Sequence, residues 1–118
     1  MFINFTNHPS RLWGEKQLAA AGEFGEIIDV AFPVVEPFAS AEEVHSIALE
    51  YAEKIMGMGP DFVLCQGEFC LAYNVISALK AEGIKVGAAC SERNVIEKAG
   101  PDGTEKTAIF NFIQFREY

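Results

Sequence analysis

The 118-residue sequence lacks the short motifs that mark the common nucleotide-binding and hydrolytic sites. It has no G-x-G-x-x-G, no G-x-x-x-x-G-K-S/T, no G-x-S-x-G and no H-E-x-x-H. These absences remove the usual signatures of dinucleotide-binding proteins, P-loop NTPases, serine hydrolases and zinc proteases. A site in this chain must therefore be assembled from residues that the fold brings together.

Basic residues are scarce, with 9 Lys and Arg against 17 Asp and Glu and a formal charge of −8. Long nucleic acid is therefore not an expected partner, because its affinity for proteins comes largely from phosphate neutralisation by Lys and Arg. A small anionic ligand is still compatible with this charge. A few backbone N–H groups and one or two cations are enough to hold a few phosphates.

Cysteine occurs three times, without a C-x-x-C pair or a histidine cluster. This pattern predicts reduced thiols in a cytoplasmic protein and indicates neither a metal site nor a cofactor. No apolar run approaches the about 18 residues of a membrane helix. The N-terminus also lacks the basic flank and long apolar stretch of a signal peptide. We therefore expect no membrane partner.

Strand and helix patterns alternate along most of the chain, which predicts a single α/β domain over residues 1–118. The expected architecture is a three-layer α/β/α sandwich whose mainly parallel sheet has the order 2-1-3-4, with a C-terminal antiparallel hairpin at one edge. The predicted strands are Phe2–Phe5, Ile27–Phe32, Phe62–Cys65 and Ile84–Cys90; the helices are Leu12–Ala21, Ala41–Met56 and Glu68–Ala81; the hairpin arms are Val95–Lys98 and Lys106–Arg116.

The predicted strand order reverses between strands 1 and 3, and ligands of such sheets bind in the crevice at the carboxyl ends of the strands. Three polar segments follow strands at this edge. They are Thr6–Ser10, Gln66–Glu68 and Ser91–Arg93.

The turn after the third strand offers the clearest place for an anion. Gly67 can take a positive φ and let a ligand approach the backbone. The following helix N-terminus carries free N–H groups and a partial positive charge. Gln66 is a candidate ligand contact, and Glu68 is a candidate proton-handling residue that would otherwise repel a phosphate. The alternative is an ordinary tight turn in which the negative charge of Glu68 interacts favourably with the positive end of the helix dipole.

The other two segments supply further candidates. His8 is a candidate general acid or base, and Ser10 is a candidate catalytic residue that alternatively caps the first helix. Asn7 is a candidate ligand contact, with an Asx turn as its structural alternative. Ser91 is a further ligand-binding candidate, and Arg93 is the expected phosphate contact unless it pairs with a neighbouring glutamate.

The opening strand Phe2-Ile3-Asn4-Phe5, which runs into Thr6-Asn7-His8-Pro9, resembles the small CRISPR-associated Rossmann-like proteins of type III systems. The resemblance covers residues 2–13, the size of the chain and the order of its elements. Gln66–Glu68 and Ser91–Arg93 match that family in position. The family is related to the domains that sense cyclic oligoadenylate, and some of its members are ring nucleases that cleave this second messenger in antiviral defence.

The resemblance implies a homodimer that binds a cyclic oligoadenylate across its two-fold axis and cleaves it without metal. A ribose 2′-OH would attack the adjacent phosphate, with His8 or Ser10 assisting proton transfer. Arg93 and the N–H groups at Gly67 would hold the phosphate, while Asn7 and Gln66 orient ribose or base. Two alternatives remain open at this point: a non-catalytic ligand-binding or oligomerisation module, and a small hydrolase that uses Cys90 or Glu68.

Overall fold

A computed structural model describes residues 1–118 as a five-stranded mixed sheet with three α-helices. Most predicted elements are present within a few residues of their expected bounds. The strands are β1 (Phe2–Phe5), β2 (Ile27–Asp29), β3 (Phe62–Cys65), β4 (Val86–Gly100) and β5 (Gly103–Glu117); the helices are α1 (Glu15–Gly22), α2 (Ala41–Gly57) and α3 (Phe69–Ala81).

The sheet has the order β2-β1-β3-β4-β5, which confirms the predicted order and the position of the hairpin at one edge. Strands β1 to β4 run parallel to their neighbours, and β5 pairs antiparallel with β4. The order reverses at β1, which lies between β2 and β3. The carboxyl ends of β1 and β3 therefore lie side by side at one edge of the sheet, with Phe5 opposite Cys65.

Alternating side chains of β1 and β3 enter two separate cores because the helices lie on both faces of the sheet. Phe2, Phe62 and Leu64 pack on one face with Trp13 and with Ala21 of α1. The intervening residues of both strands pack on the other face with α2 and α3. All four residues of each strand are buried, as expected for parallel strands that are covered on both sides.

The first helix begins later than predicted. Helix α1 starts at Glu15 with Gly14 as its N-cap, whereas Ser10–Leu12 forms a separate 3-10 turn. Ser10 therefore does not cap α1. The intervening Trp13 is extended and buried, because its indole fills the core between the sheet and α1.

The prediction that the fourth strand ends at Cys90, with Ser91–Arg93 following it, is wrong. Strand β4 continues through these residues to Gly100, so the fourth strand and the first hairpin arm form one element. Beyond the ends of β1 and β3, β4 pairs only with β5, and together they form a two-stranded ribbon. A ribbon that is exposed on both faces needs no apolar alternation, so polar residues do not end it. None of the helices is both long and apolar enough to cross a lipid bilayer.

Candidate functional site

A cleft of about 1040 Å³ lies at the carboxyl ends of β1 and β3. Its walls come from the loop after β1, the start of α1, the turn after β3 and the base of the β4–β5 ribbon. This is the place at which the reversal of strand order predicts a binding crevice. The polar side chains that line the cleft are Thr6, Asn7, His8, Glu15, Lys16, Gln17, Gln66, Ser91 and Asn111.

The loop after β1 is fixed by hydrogen bonds to its own backbone. Asn4 is buried within β1, and its side-chain amide donates to the His8 carbonyl at 2.9 Å. The Thr6 hydroxyl accepts from the His8 N–H at 3.0 Å and donates to the Asn4 side-chain oxygen at 2.8 Å. The Trp13 indole N–H also donates to the His8 carbonyl, at 3.2 Å. The loop backbone is therefore held while the side chains of Asn7 and His8 are exposed at the cleft.

Asp29 at the end of β2 completes this network. Its carboxylate accepts from the Asn4 side-chain amide at 3.0 Å and from the Ser10 N–H at 3.1 Å. Ser10 thus anchors the end of the loop through its backbone, and its side chain does not line the cleft. The sequence analysis missed Asn4 and Asp29, although each is a lone polar residue in an apolar strand and so signals a polar contact.

The turn after β3 contributes Gln66 and Gly67 to the cleft. The Gln66 side-chain oxygen accepts from the Ala89 N–H of β4 at 3.0 Å, which ties β3 to β4 where their direct pairing ends. Gly67 does not adopt a positive φ, contrary to the sequence analysis. A side chain at this position would instead meet the Phe32 ring, because a Cβ would lie 2.6 Å from three ring carbons. Any larger residue at position 67 would therefore force the buried Phe32 ring to move.

Glu68 occupies the helix N-terminus that the sequence analysis assigned to an anion. Its carboxylate accepts from the Cys70 N–H at 2.9 Å and from the Leu71 N–H at 2.8 Å, as the N-cap of α3. These two hydrogen bonds lower the pKa of Glu68, with the Leu71 contact contributing most. Glu68 lies beside a different, more apolar cavity and not in the cleft. The contacts of Glu68 are therefore those of a helix N-cap, which is the alternative role that the sequence left open.

The start of α1 faces the cleft in place of α3. Its N-cap is Gly14, which has no side chain to cap the first turn. Gly14, Glu15, Lys16 and Gln17 all line the cleft, so a helix N-terminus without a side-chain cap, one carboxylate and one ammonium group lie together there. The sequence analysis missed Lys16 because it placed this segment inside a longer helix that began at Leu12.

Aromatic side chains form the wall of the cleft nearest to β5. Trp13 and Phe112 are almost fully buried, whereas Phe110 is 67% exposed. Phe112 packs against Phe115, and Phe115 packs against Phe2 and Trp13, so this wall is continuous with the core on the α1 face of the sheet. The exposed Phe110 ring is available for stacking against a planar group.

The β4 candidates are separated by the extended geometry of the strand. Ser91 lines the cleft and lies opposite Phe112. Arg93 lies two residues further along the ribbon, opposite Phe110, and does not line the cleft. It also forms no ion pair with Glu92 or Glu68. Cys90 is half-buried and likewise lies outside the cleft wall.

The cleft thus combines some of the predicted site residues and leaves others out. No group of three His, Cys, Asp or Glu side chains is arranged to hold a metal ion. All three cysteines are free thiols, and burial raises the pKa of Cys65 to about 12. The predicted residues that line the cleft are Asn7, His8, Gln66, Gly67 and Ser91; those outside it are Ser10, Glu68 and Arg93.

Comparisons with known proteins give a family and no individual relative. Neither the curated proteins nor the solved structures yielded a match to this chain. A protein-family model described as the uncharacterized protein MJ1673 family matches residues 1–116. Because this match spans nearly the whole chain, the protein belongs to the MJ1673 family.

Proposed function

We propose that the protein binds a cyclic oligoadenylate in the cleft and cleaves it without a metal ion, as part of type III CRISPR defence. The observation that carries this proposal is the hydrogen-bonded loop that presents Asn7 and His8 at a cleft also lined by Gln66 and Ser91. The family resemblance of residues 2–13 supports the same assignment. On this proposal the fold is a Rossmann-like sandwich, and the protein works in the cytoplasm as a homodimer.

The cleft offers a contact for each part of a nucleotide. The exposed Phe110 ring can stack on a base, and aromatic stacking binds bases with little sequence preference. Asn7, Gln66 and Ser91 carry amide and hydroxyl groups that hydrogen-bond to ribose hydroxyls or base edges. The phosphate contacts are the N-terminus of α1 and the Lys16 ammonium. They take the role that the sequence analysis gave to Arg93 and the N-terminus of α3.

Cleavage proceeds by intramolecular transfer to the ribose 2′ oxygen. The 2′ oxygen forms a bond to the adjacent phosphorus, the bond from phosphorus to the 5′ oxygen breaks, and the products are a 2′,3′-cyclic phosphate and a 5′-hydroxyl. His8 takes the proton from the 2′-OH, and water protonates the leaving 5′ oxygen. An imidazole suits this step because it exchanges protons near neutral pH. The hydrogen bonds to the His8 backbone fix the point from which the His8 side chain extends into the cleft.

Incubation with cyclic tetra-adenylate and cyclic hexa-adenylate in EDTA tests the proposal. We expect linear products ending in a 2′,3′-cyclic phosphate, resolved by chromatography and mass spectrometry. His8→Ala should lower the cleavage rate by about 100-fold or more, the usual contribution of a general acid or base. Binding of the intact ring, measured by calorimetry, should change much less because His8 acts in the reaction step.

Two matched variants control this experiment. His45 is the second histidine of the chain, lies on α2 with its ring against Asn74, and is remote from the cleft. His45→Ala should therefore retain wild-type cleavage. Lys16→Gln should weaken ring binding, whereas Lys54→Gln on α2 should leave it unchanged. Absence of both binding and cleavage for the two rings would overturn the proposal.

The second candidate is a non-catalytic binding or oligomerisation module. The observation that favours it is the long β4–β5 ribbon, which carries exposed apolar side chains outside the cleft. Ring binding by the wild type without any cleavage would support this candidate over the enzyme.

A further inference from the structure

The β4–β5 ribbon leaves the body of the molecule without a core of its own. Every residue from Ser91 to Asn111 is exposed. Apolar side chains nevertheless occupy both faces of the ribbon, with Val95 and Phe110 on one face and Ile96 and Ile109 on the other. A two-stranded ribbon alone is at best marginally stable in water. A contact with another chain would supply the packing that the ribbon lacks.

The free edge of β5 is the part of the ribbon that can pair with another chain. β5 is the last strand of the sheet, so the backbone N–H and C=O groups along its outer edge have no strand partner. Residues Thr107–Phe112 contain no charged side chain, although the protein carries a formal charge of −8. Charges return at Lys106 on one side. On the other side the β4–β5 pairing is irregular just after Phe112, and the next charged residue is Arg116. The edge is thus uncharged over one short segment.

An uncharged, apolar edge is complementary to a second copy of itself. Two copies that meet along Thr107–Phe112 bring no charged side chains of this segment together, although each copy carries a formal charge of −8. Antiparallel pairing about a two-fold axis satisfies the free backbone groups of both copies at once. It also brings Ile109 of each copy close to Ile109 of the other, because this residue lies near the middle of the segment.

We propose that the protein forms a homodimer by antiparallel pairing of the β5 edges over Thr107–Phe112, giving a continuous ten-stranded sheet. The two-fold axis is perpendicular to the sheet and maps each face of the sheet onto itself. The two clefts therefore open on the same face, each bounded by Phe110 and Phe112 beside the interface. That one symmetric ring occupies both clefts rests on the proposed function. The dimer itself is independent of the proposed function.

Sedimentation velocity without nucleotide, over a concentration series, tests the dimer. The wild type should sediment as a dimer, and Ile109→Lys and Ile109→Glu should each raise the dissociation constant by about 100-fold or more. The reason is that each variant removes the contact between the two Ile109 side chains across the two-fold axis and places like charges opposite each other. An equimolar mixture of the two variants should regain dimer, because the lysine of one chain then meets the glutamate of the other.

Val34→Lys is the matched control, because Val34 is 85% exposed and lies outside the ribbon. It should leave the dissociation constant unchanged, and circular dichroism should show native folding for all variants. A monomeric wild type, Ile109 variants that dimerise as the wild type does, or a mixture that stays monomeric would each overturn this interface. The dimer is measured without nucleotide, so this result does not depend on ring binding. A protein that dimerises as proposed but binds neither ring would contradict the proposed function and leave the interface supported.

Discussion

At the scale of single residues, Glu68 shows how the structure changes the meaning of a side chain. In the sequence, the Glu68 carboxylate follows a glycine turn at the start of a helix. This position fits a catalytic carboxylate and equally fits a helix N-cap. The structure gives both carboxylate oxygens backbone N–H partners at the start of α3. A group with this role contributes to stability through its charge, and its contribution depends on pH.

We predict that Glu68→Ala lowers the free energy of unfolding by about 1 kcal/mol at pH 7, the usual effect of removing an N-cap. The pKa of Glu68 is lowered below 4.5 in the folded protein. The charged cap therefore stabilises fully above the unfolded value, and this contribution is lost as the pH falls through the lower, folded pKa. Urea unfolding at pH 7 and at pH values below 4.5 measures the difference.

Two further variants separate charge from hydrogen bonding in that measurement. Glu68→Gln keeps one oxygen acceptor and should lose less stability than Glu68→Ala at pH 7. Glu50→Gln, on the exposed face of α2, removes a charge that caps nothing and should have little effect. A difference between wild type and Glu68→Ala that persists unchanged at acid pH would contradict the role of the charge.

At the scale of the elements, the buried strands and amphipathic helices could be predicted because their patterns report burial. Phe62–Cys65 is a short apolar run, and both bounds are the same in the structure. Ser40 caps α2 and accepts from the Glu43 N–H at 3.1 Å, and a serine three residues before a glutamate is a pattern typical of a helix start. The exposed part of β4 could not be predicted in this way, since its ends are set by pairing with β5 and not by burial.

The loop after β1 is an element whose order depends on Asp29. We predict that Asp29→Ala accelerates hydrogen exchange of the Ser10 amide by about tenfold or more, because that N–H loses its carboxylate acceptor. Exchange of the β3 amides should stay at the wild-type rate. Hydrogen exchange followed by NMR measures both regions in one sample.

Asp102→Ala provides the control for that measurement, since it removes a carboxylate from the exposed ribbon turn and not from the loop. It should leave Ser10 exchange unchanged. Unchanged exchange at Ser10 in Asp29→Ala would show that the remaining contacts of Asn4 and Trp13 hold the loop without the carboxylate.

At the scale of the whole molecule, the sequence predicted the edge of the sheet at which the cleft lies better than it predicted the residues that line the cleft. Strand order follows from the alternation of elements, so Asn7, His8 and Gln66 could be placed near one another. Lys16 and Phe110 could not, because their positions depend on where α1 begins and how far the ribbon extends. Arg93 lies outside the cleft lining for the second of these reasons, because β4 continues past it.

The ribbon is also the part of the molecule whose removal should separate folding from assembly. We predict that joining Glu92 to Asn111 through a short Asn-Gly turn yields a folded monomer. The removed residues are all exposed, so the sheet and both cores remain intact. The free energy of unfolding should change by no more than about 1 kcal/mol, as for changes away from the core.

The reference for this measurement must be monomeric, because dimer formation stabilises the wild type in a concentration-dependent way. Ile109→Lys supplies that reference, since it keeps the full ribbon and, on the proposed interface, dissociates. The shortened protein and Ile109→Lys should have equal free energies of unfolding, and only the wild type should become more stable as its concentration rises. This result would show that the ribbon serves dimer formation and not folding. A shortened protein that loses its native circular dichroism would instead show that the ribbon supports the core, and the exposure of both its faces argues against that outcome.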